Sequence, residues 1–536
     1  MTAKTESKMK QSIRHILKFV FFAMVLSFPL CPEERLVTAY AQDASASSDT
    51  ELLHEGNWTR LAGEYPSPYA SIDISTEAFG DSDAGKWEKL VKSYSEPAGT
   101  KTNARPTETL AQWWDVLSDD TLTQLIDGSL KENRTLEIAR SKVRESRAAL
   151  GIGKAAFLPW LDSSNSWARG KTSQNSGGRG HVAELYRLGL DASWEIDLWG
   201  QQRENVKAAG ATLEADYAML HSAWVTLSSE VAMTYISLRT LQERLAIAEK
   251  NLALRQETLK MLESQYASGL TNSLALSQAQ YSVEQSKAVM PVIRTNLEMT
   301  LNALAILVGR VPGSLGEMLE NRRSLPNTQS VDLTGIPAES LRQRPDIRAA
   351  ERRLAAQIAR TKSAEKDLFP KLSLFGSIGL ESLSSGSLFS SDSVSYSFGP
   401  RISLPIFHGG AIRKNIQVQS AREEQLLSAY EQSVLAAVAE VRDALTANTQ
   451  EKERNAALMR GVEAARNAQV TAEDLYRQGL TDFNNVILTQ QALLALEEEY
   501  AVSEGQMVSN IVRIFKALGG GWAPLAAENR ERPSQH

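Results

Sequence analysis

Three segments of this chain alternate between apolar and polar residues, two cleanly and one nearly so, the period-2 pattern of a strand with two unlike faces. Tyr186, Leu188, Leu190, Ala192, Trp194 and Ile196 share one face, and Arg187, Gly189, Asp191, Ser193 and Glu195 the other. Val394, Tyr396, Phe398, Pro400, Ile402, Leu404 and Ile406 oppose Ser395, Ser397, Gly399, Arg401 and Ser403 in the same way. Leu372, Leu374, Gly376, Ile378 and Leu380 oppose Lys371, Ser373, Phe375 and Ser377. A fourth, weaker segment runs over 158–168. About ten alternating residues make a membrane-spanning barrel strand, apolar toward lipid and polar toward a lumen. The same alternation also fits an edge-exposed sheet of a soluble domain. Gly/Ser-rich loops at 170–180 and 381–393 join the segments in pairs.

Between the strand pairs the period changes. No proline occurs from Pro159 to Pro291 or from Pro405 to Pro524, so both stretches are free of the residue that breaks helix interiors. Gly200–Tyr266 and Gly410–Tyr476 are rich in Ala, Leu, Glu, Gln, Arg and Lys, all good helix formers. Each predicts a rod of roughly 100 Å at 1.5 Å per residue. Each rod ends at a Tyr-x-x-Gly-Leu-Thr segment, where glycine serves as a C-cap. Second helices are predicted over 272–308 and 483–518, giving two helical hairpins. Shorter helices are predicted at 121–156 and 338–366, ahead of the strands.

The two halves are copies of one plan. Gly189 and Gly399, Gly200 and Gly410, Arg203 and Arg413, Asn205 and Asn415, Tyr266 and Tyr476, and Gly309 and Gly519 each differ by 210, as do Gly269-Leu270-Thr271 and Gly479-Leu480-Thr481. Upstream the offset becomes 211, as in Pro159 and Pro370 or Leu136 and Ile347. A constant offset over more than a hundred residues marks an internal repeat. Each half therefore carries two strands and one long hairpin. Four strands cannot close a barrel, for which about eight is the smallest number. An open sheet in lipid leaves backbone groups without partners. Identical neighbours must seal the edges, and three copies give twelve strands.

Composition narrows the function. The 536 residues carry a formal net charge of −6, which offers no basic face for nucleic acid. One cysteine, Cys31, allows neither a disulfide framework nor a cysteine-ligated metal site, and the six histidines show no ligand-spaced pair. No cofactor is expected. Lys8, Lys10, Arg14 and Lys18 precede an apolar run from Phe19 to Leu30, which reads as an export signal. Two processing routes stay open: acylation at Cys31, behind a poor lipobox of Phe28-Pro29-Leu30, or cleavage after Ala39-Tyr40-Ala41. After this segment no run of about 20 apolar residues occurs.

Trp113-Trp114 with Leu125-Ile126 and Asn133, then Trp194-Glu195-Ile196-Asp197-Leu198-Trp199-Gly200, and Arg344-Pro345-Asp346-Ile347-Arg348-Ala349-Ala350-Glu351 resemble the TolC-like outer-membrane efflux proteins of NodT type over about 107–522. The resemblance implies a homotrimer with a twelve-stranded barrel in outer-membrane lipid, an α-helical periplasmic tunnel and an equatorial collar. It implies docking to a periplasmic adaptor protein and an inner-membrane resistance-nodulation-division pump. The chain then divides into a signal segment (1–41), an N-terminal extension (42–106), a first repeat (107–309), a linker and equatorial segment (310–337), a second repeat (338–522) and a tail (523–536).

In this family the tunnel closes at the hairpin tips. The matching turn, Gly479-Leu480-Thr481-Asp482-Phe483, implies that Asp482 forms a cation-favouring ring at the axis; a turn aspartate or helix N-cap explains the same residue. Where many relatives carry Leu-Asp-Ala-Gln this chain has Ile487-Leu488-Thr489-Gln490, so Leu488 offers an apolar constriction instead of a lower acidic ring. Gly269, Leu270, Thr271, Gly479, Leu480 and Thr481 are the implied adaptor contacts, and turn geometry accounts for the glycines as well.

Other signals lead nowhere. Gly151-Ile152-Gly153-Lys154-Ala155-Ala156 fits a loose dinucleotide fingerprint but ends a helical stretch and follows no strand. His54-Glu55 lacks a second histidine. Glu351-Arg352-Arg353 and Glu497-Glu498-Glu499 read as solvated helix faces. No catalytic constellation is found, and the expectation is a passive exit duct for small-molecule efflux. The outer channel of a type I protein-secretion system and a periplasmic coiled-coil scaffold are the alternatives.

Overall fold

The computed structural model describes residues 111–176, 180–320, 325–326 and 343–522. The signal segment with Cys31, the N-terminal extension (42–106), the first four residues of the first repeat (107–110), the linker positions 321–324 and 327–337 and the tail from 523 lie outside the described residues. After a short 3₁₀ turn at Trp113–Leu117 come α1 (Asp120–Glu132), α2 (Arg134–Ala155), β1 (Trp160–Lys171), β2 (Val182–Ile196), α3 (Gln201–Ala267), α4 (Ser273–Val308) and the four-residue α5 (Gly316–Leu319). The second half runs α6 (Pro345–Lys366), β3 (Lys371–Ser382), β4 (Val394–Ser403), α7 (Ala411–Arg477) and α8 (Phe483–Ala517).

Both rods are there, and both are 67 residues long. α4 runs straight through Pro291, which forfeits one backbone bond without ending the helix. The stretch predicted as one helix over 121–156 is two. Asn133 takes an extended conformation, and its side chain accepts from the amides of Thr135 and Leu136, at 2.8 and 3.1 Å, to start α2 afresh. Of the helix expected over 338–366, residues 338–342 lie outside the described residues. The described helix starts at Pro345, and Arg344 before it is extended at ψ 129, as a residue preceding proline prefers. β4 stops at Ser403 instead of Ile406, just before Leu404-Pro405. β2 starts at Val182, four residues earlier than expected.

The four strands form one antiparallel sheet in the order β1-β2-β3-β4. Trp160 pairs with Ser193 in the first strand pair and Lys371 with Ser403 in the second, so offsets of 211 and 210 superimpose the two registers. The duplication is therefore structural. α3 packs against α1, α2, α4, α6 and α8, whereas α7 packs chiefly against α6 and α8. Beside α3 and the C-terminal end of α8 lies an aromatic core in which buried Trp113 stacks on Phe515 at 5.6 Å. His221 stacks there on Trp522 at 4.6 Å.

The same device fastens the two halves. Asn133 donates through Nδ2 to the carbonyl of Leu307 at 2.8 Å, near the end of α4. Its counterpart at an offset of 211 is Arg344, which donates through Nη1 to the carbonyl of Ala517 at 2.7 Å, at the end of α8. Each residue relieves a helix-terminal carbonyl that has no partner within its own helix. Arg344 also holds Asp346 at 2.7 Å and Glu440 of α7 at 2.8 Å. Burial opposes ionisation of Asp346, but hydrogen bonding to Arg344 and its charge keep that carboxyl below the usual range.

Candidate functional site: sheet faces and hairpin tips

Residues paired across antiparallel strands point to the same side, so the register decides which residues share a face. Leu188 pairs with Leu380, which pairs with Val394; Leu190 pairs with Ile378, which pairs with Tyr396; and Leu372 pairs with Ile402. The expected apolar positions of three strands thus form one continuous surface. It is open to solvent in the single chain: Phe398 is 80% exposed and Ile402 73%. The opposite face carries Asp162 across from Asp191, Ser164 donating to Asp191, and an Arg187–Glu381 ion pair of 3.1 Å. Phe375 on that face packs over Gly399 with Arg401 5.2 Å from its ring centroid. One face suits lipid and the other water.

β1 explains why its own pattern is weak. Its positions on the apolar face are Leu161, Ser163, Asn165, Trp167, Arg169 and Lys171, only partly apolar. β1 and β4 are the two edges, and each presents a row of backbone groups with no strand beside it. Aromatic residues bound the apolar band at both ends. Trp167 and Tyr186 lie 6.5 Å apart near the loop end, and Trp199 stacks on Phe369 at 5.2 Å near the helix end. The Trp199 and Trp194 indoles donate to the carbonyls of Pro370 and Phe157, leaving half-exposed rings at the junction. Such amphipathic placement is that of a membrane-interface belt.

At the far end of the molecule both hairpins turn in the same way. Gly269 and Gly479 take φ of 70 and 74, in the left-handed region that favours glycine. The Leu270 amide bonds back to Gln265 O at 2.8 Å and the Leu480 amide to Leu475 O at 2.9 Å, closing each helix with a Schellman-type cap. Leu270 is 78% exposed and Leu480 69%, so both tips offer an apolar side chain to a partner. The tips touch. Phe483, Val486, Ile487 and Ala472 of the second hairpin bury against Leu262, Ala275 and Ala279 of the first, and Tyr476 Oη donates to Gln265 Oε1 at 3.2 Å.

Asp482 stands at the N-cap position of α8, but its side chain makes no capping bond; its backbone carbonyl accepts from Asn485 N at 3.1 Å. In the first hairpin Asn272 does cap, accepting from Ala275 N at 3.0 Å. The capping explanation of Asp482 thus holds for its backbone and fails for its carboxylate, which is left exposed. Leu488 is 52% exposed, beside buried Val486 and Ile487.

The acidic run Glu497-Glu498-Glu499 is not a solvated face. Glu497 is buried and pairs with Arg466 at 2.8 Å, Glu498 with Arg244 of α3 at 3.4 Å, and Glu499 with Arg454 at 3.7 Å. Three consecutive side chains tie α8 to two arginines of its own hairpin and one of the other. Arg352 likewise reaches Glu214 of α3 at 3.2 Å. Only arginines spaced along distant helices could have disclosed this, a signal too diffuse to read from the run itself. The Gly151–Ala156 fingerprint lies within and just after α2, with β1 following it.

The model of the family described as outer membrane efflux protein matches residues 125–310 and 336–520. The toluene efflux pump outer membrane protein TtgI of Pseudomonas putida is 30% identical over 451 residues, covering 81% of this chain and 95% of that protein. Nodulation protein T of Rhizobium leguminosarum bv. trifolii is 28% identical over 466 residues, 86% of this chain and 98% of the relative. Among solved structures, the outer-membrane channel OprN superposes with a TM-score of 0.73 at 33% identity, covering 80% of this chain and 98% of that one.

Proposed function

The chain belongs to the outer membrane efflux protein family, and from that premise we propose that three copies close into one duct. The observation that carries this is the open sheet: one apolar face, one polar face and two unpaired edges. Three sheets give twelve strands, which removes the edges and leaves a polar lumen. The repeat specifies the seam. Within the chain Ala192 of β2 pairs with Gly376 of β3. Carried by the same offsets, Ile402 of β4 meets Asn165 of β1 in the next copy. The helices follow the same logic: α3 packs on α2 of its own half and on α6 of the other, whereas α7 has only α6, the α2 counterpart of its own half, and lacks the neighbour that α2 of the next copy would supply.

The duct crosses the outer membrane, the membrane for which the efflux relatives are named, and its helical part stands in the periplasm. Its cargo is small molecules delivered by an inner-membrane resistance-nodulation-division pump through a periplasmic adaptor. The adaptor binds at Gly269-Leu270-Thr271 and Gly479-Leu480-Thr481, whose exposed leucines are the apolar anchors. Asp482 and Leu488 form the gate, three of each meeting near the axis. Passage is passive, and chemistry plays no part. Relatives named for solvent and toluene efflux support this above a protein-secretion channel.

Reconstitution in a planar bilayer tests the reading. Wild-type protein should give a small or intermittent conductance that rises severalfold in the Asp482→Ala/Leu488→Ala double variant. Absence of conductance in both would overturn the duct; equal conductance in both would overturn the gate.

A further inference from the structure

We propose that the loop-side end of β1 docks a phosphorylated glycolipid of the outer leaflet, held at the seam between two copies; the site rests on the trimeric reading above. The argument begins with parity. On the lipid face β1 carries Trp167, Arg169 and Lys171 in succession, paired with Tyr186, Glu184 and Val182. The lipid face of the other three strands carries no cation: β2 ends in Glu184 and Val182, β3 in Ser382, and β4 begins at Val394. Both outward cations of the sheet therefore sit on one edge strand.

Their height matches a headgroup. Trp167, 62% exposed beside Tyr186, marks the edge of the apolar band, and Lys171 lies four residues further along. At about 3.3 Å per residue and a tilt near 40°, that is roughly 10 Å beyond the aromatic ring, at the level of lipid phosphates. Arg169 is loosely paired with Glu184 at 3.6 Å and remains 61% exposed. Lys171 is exposed and makes no ion pair among the described residues. Because the helices are at the opposite end of the sheet, these cations face the outer leaflet.

The seam supplies the apolar half. Tyr186–Ser382 and Leu188–Leu380 pair within the chain. Carried to the next copy, these pairs put Tyr396 opposite Lys171 and Phe398 opposite Arg169. Tyr396 is 72% exposed and Phe398 80%. Each seam thus joins two cations to two aromatic rings, a match for a phosphate on a multi-chain acyl body.

Native mass spectrometry of the purified full chain, titrated with bis-phosphorylated lipid A, tests the site. The expected spectrum shows three copies binding three lipids, with lipid A stripped of its phosphates binding far more weakly. At about 1 kcal/mol per cation, the R169Q/K171Q variant should bind roughly 30-fold more weakly while keeping its trimeric mass. Equal binding by the variant, or by the phosphate-free lipid, would overturn the proposal. A monomeric mass would instead overturn the trimer, and the seam site with it.

Discussion

The two long rods, α3 and α7, have the same length and the same place in their repeats, yet they are covered very differently. α3 buries nineteen residues, from Ala208 to Leu262, whereas α7 buries only Ala437, Ala444, Asn448 and Ala472. Composition does not explain this, since both are Ala-rich helices with mixed charge. Neighbours do. α3 has a packed helix on each side, while one flank of α7 is bare. A repeat that is satisfied in one half and unsatisfied in the other fits a ring cut open, and in the trimer proposed above the partner of α7 is the first half of the next copy.

The same contrast runs through the helix ends, where it can be broken by substitution. Gly309 and Gly519 both take positive φ, 83 and 75. A Cβ at Gly309 would overlap the backbone carbonyl of Glu132, whereas at Gly519 it would lie 3.1 Å from Arg344 Cγ and 3.3 Å from its Cα, tight contacts that a shift of a few tenths of an ångström relieves. Gly309→Ala should therefore cost about 3 kcal/mol or more, and Gly519→Ala about 1–2 kcal/mol, in denaturant unfolding followed by helical circular dichroism. Equal losses would mean that the two ends are not differently packed.

The aromatic core gives a comparable effect with pH. Burial, reinforced by the nearby charge of Arg348, pushes His221 down to about 4. Its folded value lies below its unfolded value, so stability is complete above about pH 6.5 and is lost as pH falls toward 4. The maximal loss is about 3 kcal/mol. His221→Phe should flatten that part of the stability–pH curve relative to wild type. A variant curve parallel to wild type between pH 4 and 6.5 would refute the assignment.

A change of the same order concerns the contact between the hairpins. A Cβ at Gly505 would collide with Thr240 Oγ1, where α8 crosses α3. Gly505→Ala should cost about 1–3 kcal/mol in the same unfolding measurement, and Thr240→Ala should restore part of it. The smallest effect sharpens the difference between the tips. Asn272→Ala removes a real cap and should lose about 1 kcal/mol, while Asp482→Ala removes none and should change stability by less than about 0.5 kcal/mol. A conspicuous loss at Asp482 would show a capping or pairing role that its exposed carboxylate does not display.

Much of this architecture was readable from residues in order. Alternation is a local property, and it gave three strands with the correct faces; helix length followed from uninterrupted helix formers between prolines. The break at Asn133 was missed because its cause is a side chain bonding forward to Thr135 and Leu136, which apolar spacing does not register. The equivalence of Asn133 and Arg344 was hidden for another reason. Unlike residue types perform the same task at an offset of 211, and only the shared carbonyl acceptors reveal it. Glu497–Glu499 was misread because each partner lies on a distant turn or another helix. The tip residues were placed correctly in turns, but the meeting of Phe483 with Leu262 is a tertiary fact.

The seam itself is the most direct test. Asn165→Cys/Ile402→Cys places two thiols on directly opposed strand positions of adjoining copies, within disulfide reach. Oxidation of the membrane-embedded protein should produce a ladder of one, two and three chains that stops at three, while either single variant yields none. A product that remains monomeric, or a ladder that continues past three, would contradict a barrel closed by three identical sheets.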